Sequence, residues 1–460
     1  MIGDMYGDFS RLTFAPEKHF SAVLVQQGRV MLDADANEQT AVTLHYLRRL
    51  AADVIGPYGG PEHHAGFHIR HHAGPPPTLT IGQGRYYVHG LLCEVDEPTS
   101  YFEQPDAFLD PDDDDEDKLP DAPYIVYLKV WERHITAVED PSIRELALGE
   151  NGPDTAARSK VVWQVLASRD WPPGSGDDVG ADPKAASKKW RDWEQGVFEA
   201  GKTLSGRRVP ALRAQAKQLT ADDFDPCLAS PEARYRGLEN QLYRVEIHDG
   251  GEAGTATFKW SRENGAAVFP LESLSGAEAT VVSLGRDVGL GLEAGDWVEV
   301  LDDRSVLRGV RGELYRVAGI EPLDRLVTLE EAVEDGVGND PALHPFLRRW
   351  DQREGPESAG YAALDPDRGV LEVTEEYPIQ LEDGIEIEFE EGGDYTPGDY
   401  WLIPARTTTG DVEWPQRHGK PAARRPTGIQ YFYAPLAHVL PGGQVHGMRS
   451  KFKALSKPAA

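Results

Sequence analysis

A run of histidines is the first feature of this sequence that could do metal chemistry. Five histidines fall between His63 and His72, and imidazoles that are grouped in a loop can bind zinc or nickel. No cysteine lies nearby, Glu62 is the only adjacent acid, and the spacing matches neither a helical histidine pair nor a zinc finger. A metal site and an ordinary surface loop both stay open here, and we favour the surface loop.

Two acidic patterns resemble parts of calcium sites. Asp33-x-Asp-x-Asn37 begins like a calcium loop, but Glu38 stands where the sharp turn of such a loop needs glycine. A helix cap explains the same residues. The run Asp110–Asp117 could gather calcium loosely, but bare acidic runs repel themselves and stay solvated. We therefore expect a mobile loop at Asp110–Asp117, and neither a metal nor a cofactor.

Enzyme chemistry finds little support. Paired acids of the kind that a glycosidase needs occur at Glu330-Glu331, Glu375-Glu376 and Glu386/Glu388. The last pair alternates with apolar residues, which indicates the solvent face of a strand. Serine and cysteine nucleophile motifs and phosphate-binding loops are absent from the sequence. Lys259-Trp-Ser-Arg-Glu-Asn-Gly265 could bind a sugar through Trp260, but a strand that ends in a turn explains it equally well. We expect no catalytic site.

The composition excludes several classes of partner. The 460 residues include 47 Lys and Arg against 77 Asp and Glu, a net charge of −30. This balance argues against nucleic acid and against an anionic membrane surface, since both need clustered basic charge. Cys93 and Cys227 are the two cysteines. One disulfide is possible, but we favour two reduced thiols. No signal peptide and no membrane span are recognisable, so we expect a cytoplasmic protein without direct membrane insertion.

The opening forty residues and the helix after them must position whatever the chain binds. Their pattern predicts a strand, a tight turn at Gly28, and an amphipathic helix that is capped by Asp35 and stops at Gly56-Pro57. We expect this element to dock onto a partner rather than to catalyse. The candidate docking residues are Phe9, Arg11, Phe14, Gln26, Gln27, Arg29, Asp33, Asp35, Asn37 and Glu38.

The rest of the chain predicts a mainly β fold of several sandwich or barrel modules, with an N-terminal helix and a helical insertion. Tyr124–Arg133 is the strongest strand, and Thr78–Val95 suggests a hairpin about Gly82-Gln-Gly84. Helices are predicted at Pro183–Ala200 and Pro210–Leu219. The string Leu-Tyr-Arg-Val occurs at 242–245 and at 314–317, which we interpret as a reused turn-then-strand signature. The predicted divisions are 1–57 (docking element), 58–170 (first β module with the acidic loop), 171–223 (insertion), 224–334 (second β module, a small barrel or sandwich), 335–368 (linker), 369–440 (C-terminal β module) and 441–460 (arm or disordered tail).

The opening carries two characteristic strings, Phe9-Ser-Arg-Leu-Thr-Phe14 and Gln26-Gln-Gly-Arg-Val-x-Leu-Asp-Ala-Asp-x-Asn-Glu-Gln39. Further strings follow at Gly84–Gly90, Val130–Arg133, Gly152–Arg158, Phe258–Gly265 and Gly398–Arg406. Together they resemble a bacterial family of uncharacterised function that is encoded with phage-tail-like contractile injection systems. The resemblance departs at Ala36, which stands where the family pattern has Trp. It implies a structural component at or near the baseplate of such a particle, with baseplate, sheath or tube proteins as partners, and a homo-oligomer within the assembly. It implies no catalytic residues.

Two other functions stay open. A carbohydrate-binding or carbohydrate-active adhesin, similar to a tail spike, would need exposed aromatic rings such as Trp260 or Trp401 beside converging acids. A scaffold that is needed only during assembly would be absent from mature particles.

Overall fold

The computed structural model describes residues 5–112, 117–149, 154–200, 209–217, 234–285, 291–334, 336–355 and 360–454. Its helices are α1 (Asp33–Ile55), α2 (Pro183–Ala200) and α3 (Asp303–Arg308). The strands before α2 are β1 (Tyr58–Pro61), β2 (Ile69–His72), β3 (Thr78–Ile81), β4 (Gly84–Val88), β5 (Leu91–Val95), β6 (Thr99–Ser100), β7 (Tyr124–Ile135) and β8 (Arg158–Ser168).

Nineteen further strands follow α2 in the described part of the chain. The first nine are β9 (Leu212–Ala216), β10 (Gln241–Ile247), β11 (Thr257–Ser261), β12 (Val268–Ser275), β13 (Glu278–Val281), β14 (Trp297–Leu301), β15 (Leu314–Glu321), β16 (Leu326–Leu329) and β17 (Phe346–Trp350). The others are β18 (Leu371–Glu372), β19 (Ile379–Gln380), β20 (Ile385–Phe389), β21 (Tyr400–Arg406), β22 (Asp411–Val412), β23 (Gln416–Arg417), β24 (Lys420–Pro421), β25 (Phe432–Val439), β26 (Val445–Gly447) and β27 (Lys451–Phe452). The prediction of a mainly β, multi-module fold with an N-terminal helix and a helical insertion is confirmed.

The first module is built around β7. This strand buries nearly all of its residues, and it pairs with β8 on one side and with β25 on the other. The prediction of a central strand at Tyr124–Arg133 is therefore confirmed. Two further sheets, in the orders β27-β1-β4-β5 and β2-β3-β6, complete the module. Because β26 extends the sheet of β7 and β27 pairs with β1, the prediction of an arm or disordered tail is wrong for residues 445–452.

The hairpin of the first module lies one strand later than predicted. β4 and β5 pair directly across a turn at His89-Gly90, where both residues have positive φ angles (48° and 82°) as a type I′ turn requires. β3, by contrast, pairs with β2 and β6. A Cβ atom on Gly90 would lie 2.5 Å from the carbonyl oxygen of Arg48. Glycine is therefore needed here for the close approach of α1 as well as for the turn.

The helical insertion packs onto the first module. α2 begins at the predicted residue and buries Ala186 and Trp190 against Trp171 and Tyr127. The Trp171 and Trp190 rings are stacked with their centroids 4.0 Å apart. The second predicted helix is wrong, because residues 212–216 form β9 and pair with β20. Its alternating Leu-Arg-Ala-Gln-Ala pattern suits a strand once a partner strand is available.

The second module is a sandwich, and a separate barrel is inserted into its sequence. A five-stranded sheet, β18-β11-β10-β21-β22, shares one apolar core with the three-stranded sheet β19-β20-β9. Between β11 and β18 the chain forms a closed barrel in the order β12-β13-β16-β15-β14-β17. The barrel thus takes in residues 346–350, which we had placed in a linker. The predicted module at 224–334 is divided between sandwich and barrel.

The three modules are nested along the chain. The barrel lies within the sandwich module, and the sandwich lies between β8 and β25 of the first module. Helix α3 connects the barrel to the first module: Leu307 packs on Trp131 and Val162, and Arg308 forms an ion pair with Asp117 at 2.7 Å. Asp117, predicted to be solvated, is buried by this contact, while residues 113–116 of the acidic loop lie outside the described residues.

Candidate functional site

The start of the chain is held in a large cleft between the modules. The cleft has a volume of about 2290 Å³, and residues 5–10 line it together with parts of all three modules. The side-chain amide of Asn264, in the turn after β11, donates to the carbonyl oxygens of Met5 at 2.9 Å and Gly7 at 3.1 Å. We call residues 5–15 the anchor, because they fix the N-terminus to the body of the protein.

Tyr6 of the anchor stands between two guanidinium groups. Its ring centroid lies 3.6 Å from the guanidinium carbon of Arg348 in the barrel and 3.8 Å from that of Arg244 in the sandwich. Tyr400 also contacts Arg244, at 3.6 Å. The Tyr6 hydroxyl donates to Glu246 at 2.8 Å. A desolvated cation–π contact contributes about 2 kcal/mol. Because Tyr6 makes one such contact with the sandwich and one with the barrel, it holds the two modules together.

Buried ion pairs continue from Tyr6 across the same junction. Lys259 Nζ lies 2.8 Å from Glu299 and 3.6 Å from Glu246. Burial opposes ionisation of both carboxyls, but nearby cations outweigh it and lower both pKa values: Arg244 and Lys259 act on Glu246, and Lys259 and Arg348 act on Glu299. We call this set the charged seam; it consists of Tyr6, Arg244, Glu246, Lys259, Glu299 and Arg348. Its three cations surround two ionised carboxylates, an arrangement that suits a structural junction.

A second charged cluster beside the seam contains more acids than bases. Its members are two guanidiniums and three carboxyls, from Arg262, Glu263, Arg349, Asp351 and Glu382. Arg262 lies 2.9 Å from Glu382 and 3.7 Å from Asp351, and Arg349 lies 3.2 Å from Glu263 and 3.3 Å from Asp351. Burial, followed by the charge of Asp351, raises the pKa of Glu263 to about 8. Burial and the excess carboxyl together account for the raised pKa of Glu263, so no catalytic role is needed to explain it.

The stability of the protein should therefore depend on pH through Glu263. Its pKa in the folded state lies above its ordinary value of 4.5, so its contribution to the free energy of unfolding is greatest below pH 4.5. That contribution falls as the pH rises to about 8. We expect Glu263→Gln to gain stability relative to the unmodified protein across this range, as measured by denaturant unfolding at several pH values. Glu272→Gln, at an exposed glutamate of the barrel, is the control. A stability difference that is constant from pH 5 to pH 9 would contradict the assignment.

Most of the predicted docking residues bind the protein's own chain. Phe9 packs against His134, and Arg11 makes two 2.9 Å hydrogen bonds to Glu413. Phe14 packs against His45 of α1. Asp33 accepts hydrogen bonds from the backbone and hydroxyl of Ser10, Glu38 accepts one from Thr13, and Asn37 lines the cleft. Gln26, Gln27 and Arg29 are exposed.

The local structure before α1 also differs from the prediction. The helix begins at Asp33, two residues before the expected cap, and the Asp35 carboxylate accepts a hydrogen bond from the backbone of Leu32 at 3.3 Å. Residues 19–32 form no helix and no strand; they turn at Gly28 and pair with no strand among the described residues. A strand needs a neighbouring strand for its backbone hydrogen bonds, so the prediction of a strand here is wrong for the isolated chain.

The surface that remains available is strongly apolar. We call residues 16–32 the arm, and the arm together with the outer side of α1 the arm–helix surface. Leu24 and Val30 are 83% and 85% exposed. α1 buries only Ala34 and Val42 among its 23 residues. The exposed large apolar side chains of this surface are Phe20, Leu24, Val25, Val30, Met31, Leu32, Tyr46, Leu47, Leu50 and Val54. Monomeric proteins rarely expose so much contiguous apolar surface without a binding role.

Sequence reasoning missed most of these residues, although a signal was present. Residues 18–32 contain no acid, and the apolar residues of α1 were recognised at helical spacing but were not proposed as docking residues. The charged seam, in contrast, left no signal, because Tyr6, Arg244 and Arg348 lie far apart in sequence.

The other candidate residues are placed as follows. Ile69–His72 form β2, and the His68 ring contacts Arg449 at 3.2 Å. Among the described residues, no group of three or more His, Cys, Asp or Glu could hold a metal ion.

Glu386 and Glu388 lie on the outer face of β20, which confirms their interpretation as the solvent side of a strand. The Cys93 thiol is buried and free, while Cys227 lies outside the described residues. In the described ranges, no helix is both long and apolar enough to cross a membrane.

Fold and site together define a mainly β protein of nested modules, whose start is clamped inside and whose arm is apolar and exposed. The chain belongs to a family of unknown function, DUF6519, whose model matches residues 5–170 and 199–455. The unmatched segment contains α2 except for its last residues. No curated protein and no solved structure matches the chain.

Proposed function

We propose that this protein is a structural subunit of a larger assembly, to which it docks through the arm–helix surface. The single observation that carries the proposal is the exposure of ten large apolar side chains on the arm and α1. An arm that belongs to no sheet of the described chain is suited to adding a strand to the edge of a neighbour's sheet. An exposed helix face is suited to packing against another helix. In this role the protein acts through its surfaces and not through catalysis.

The assembly that we propose is a phage-tail-like contractile injection particle, with the protein in or near its baseplate. The resemblance of the opening and of later strings to the family encoded with such systems supports this choice. The partners would be baseplate, sheath or tube proteins, and the subunit would be made in the cytoplasm.

Carbohydrate binding is a weaker alternative. All ten tryptophans lie in the described part of the chain, and nine are buried while Trp193 is partly buried. Trp260 and Trp401, the proposed stacking plates, pack in the core of the sandwich. A stacking plate must present a ring face to the sugar, which these two residues do not do.

The proposal is tested by replacing exposed apolar residues of the arm with acids. We expect Leu24→Asp combined with Val30→Asp to reduce co-sedimentation with sheath and tube proteins by more than about tenfold. Two charges at the centre of an apolar interface weaken the binding free energy by well over about 1.4 kcal/mol, which corresponds to a tenfold loss of affinity. The amount of the subunit in purified particles is measured by quantitative mass spectrometry.

The matched control replaces two leucines that are equally exposed elsewhere. Leu238 and Leu323 are both 98% exposed and lie outside the arm–helix surface; changing both to Asp should leave incorporation unchanged. Normal incorporation of the arm variant would refute the docking role of the arm. Absence of the unmodified protein from particles would refute the particle assignment, and would favour a scaffold that leaves before maturation.

A further inference from the structure

The outer face of α1 carries an apolar stripe in which Tyr46 and Val54 are placed symmetrically about Leu50, while the position that mirrors Leu47 is Asp53. Tyr46 and Val54 lie four residues before and four residues after Leu50, and Leu47 lies three residues before it. All four side chains are exposed. The opposite side of the helix faces the protein, where Arg48 binds Glu132 at 2.6 Å and its backbone passes close to Gly90. The stripe is therefore directed away from its own chain.

We infer that the arm–helix surface receives a second copy of this chain, with the two α1 helices packed antiparallel across a two-fold axis at Leu50. The inference rests on the proposed docking role of the same surface. In a two-fold interface the same patch of both copies meets across the axis. For antiparallel helices, a residue before the axis therefore faces the residue that lies equally far after the axis in the second copy. Leu50 then meets Leu50 of the second copy, and Tyr46 meets Val54.

The spacing of the stripe agrees with helix–helix packing. Thr43, Leu47, Leu50 and Val54 recur at intervals of four, three and four residues, which is the alternation that places side chains along one seam between paired helices. With the axis at Leu50 the two helices overlap over residues 45–55, so Leu47, Leu50 and Val54 lie in the seam and Thr43 lies outside it.

The exposed area is sufficient for a stable pair. A stable interface buries about 800 Å² on each partner. The four apolar residues of α1 do not reach this value, but all ten side chains of the arm–helix surface, with on the order of 100 Å² exposed on each, offer about 1,000 Å². The arm must therefore lie on the partner, held close to its own α1 by the hydrogen bond from the Val23 backbone to Gln39 at 2.8 Å.

Charge also favours a second copy as the occupant. The arm contains Lys18 and Arg29 against one acid, Glu17, whereas the whole chain has a net charge of −30. A basic, apolar arm fits an acidic partner surface, and each copy of the chain supplies such a surface to the arm of the other.

Disulfide trapping tests the geometry. We expect the full chain with Leu50→Cys, in a Cys227→Ser background, to form a covalent dimer on mild oxidation, because a residue on a two-fold axis meets itself. A mixture of Tyr46→Cys and Val54→Cys chains should cross-link with each other more than either does with itself. The control is Leu323→Cys. Leu323 is more exposed than Leu50 but lies in the barrel, outside the arm–helix surface, so this variant should remain monomeric on a non-reducing gel.

Sedimentation equilibrium of the unmodified chain gives an independent measurement. We expect a dimer, and a shift to monomer for Leu50→Asp with its circular dichroism unchanged. A monomer at micromolar concentration, or no Leu50→Cys cross-link, would overturn the inference. A monomer that still enters particles through its arm would refute the two-fold dimer and leave the proposed function standing. A dimer that is absent from particles would refute the proposed function and leave the two-fold dimer standing. A monomer captured by a different acidic subunit would identify the partner as another protein.

Discussion

Replacing Arg244 by alanine should lower the free energy of unfolding by about 3–5 kcal/mol, the usual effect of removing one partner from a buried ion pair. Arg244 has no exposed surface, and its Nε donates to Glu246 at 2.6 Å. Without it, Glu246 stays buried with Lys259 at 3.6 Å as its remaining cation, and the rings of Tyr6 and Tyr400 lose the group between them. Denaturant unfolding measures the change.

The sequence supplies an unusually close control for this substitution. Arg316 occupies the same position in the second Leu-Tyr-Arg-Val string and also lies on a strand, β15. Its side chain is 47% exposed and lies 3.9 Å from Glu330. Exposed ion pairs contribute about 0–1 kcal/mol, so Arg316→Ala should have little effect. Equal destabilisation by the two substitutions would show that the charged seam does not have the structural role assigned to it.

The second large effect is expected for Tyr6→Ala. This change removes contacts with two guanidiniums and a hydrogen bond to a buried carboxylate, and we expect a loss of about 3 kcal/mol in the free energy of unfolding. The anchor should then leave the cleft, so that limited proteolysis cuts the chain before α1 much faster than in the unmodified protein.

Two variants separate the parts of this effect. Tyr6→Phe keeps both ring contacts and loses only the hydroxyl, so we expect about one third of the loss, or about 1 kcal/mol. Tyr377→Ala removes an exposed tyrosine and should change neither stability nor cleavage. Unchanged cleavage in Tyr6→Ala would mean that the anchor is held by its other contacts, such as those of Asn264 and Arg11.

Local patterns predicted the elements whose burial is a property of their own sequence. β7 is a continuous apolar run, and the strands of the barrel alternate with turns, so both were recognisable. β9 was not, because only pairing with β20 decides between helix and strand for residues 212–216. Arg244 and Arg316 show this limit: they occupy the same position in identical tetrapeptides, yet Arg244 is fully buried and Arg316 is 47% exposed. The opening segment remains the predicted docking element, but the residues first proposed for a partner are mostly those that hold it to its own chain.

The nested connectivity sets the order in which the protein can be completed during synthesis. The barrel has all of its strands once residue 350 has left the ribosome, and the sandwich follows some sixty residues later with β22. β7 is made early, yet its neighbour β25 is among the last strands to emerge. The long, largely buried strand β7 therefore has one edge unpaired until β25 has been made. Because an unpaired edge invites aggregation, we expect the nascent chain to need protection until β25 closes this sheet.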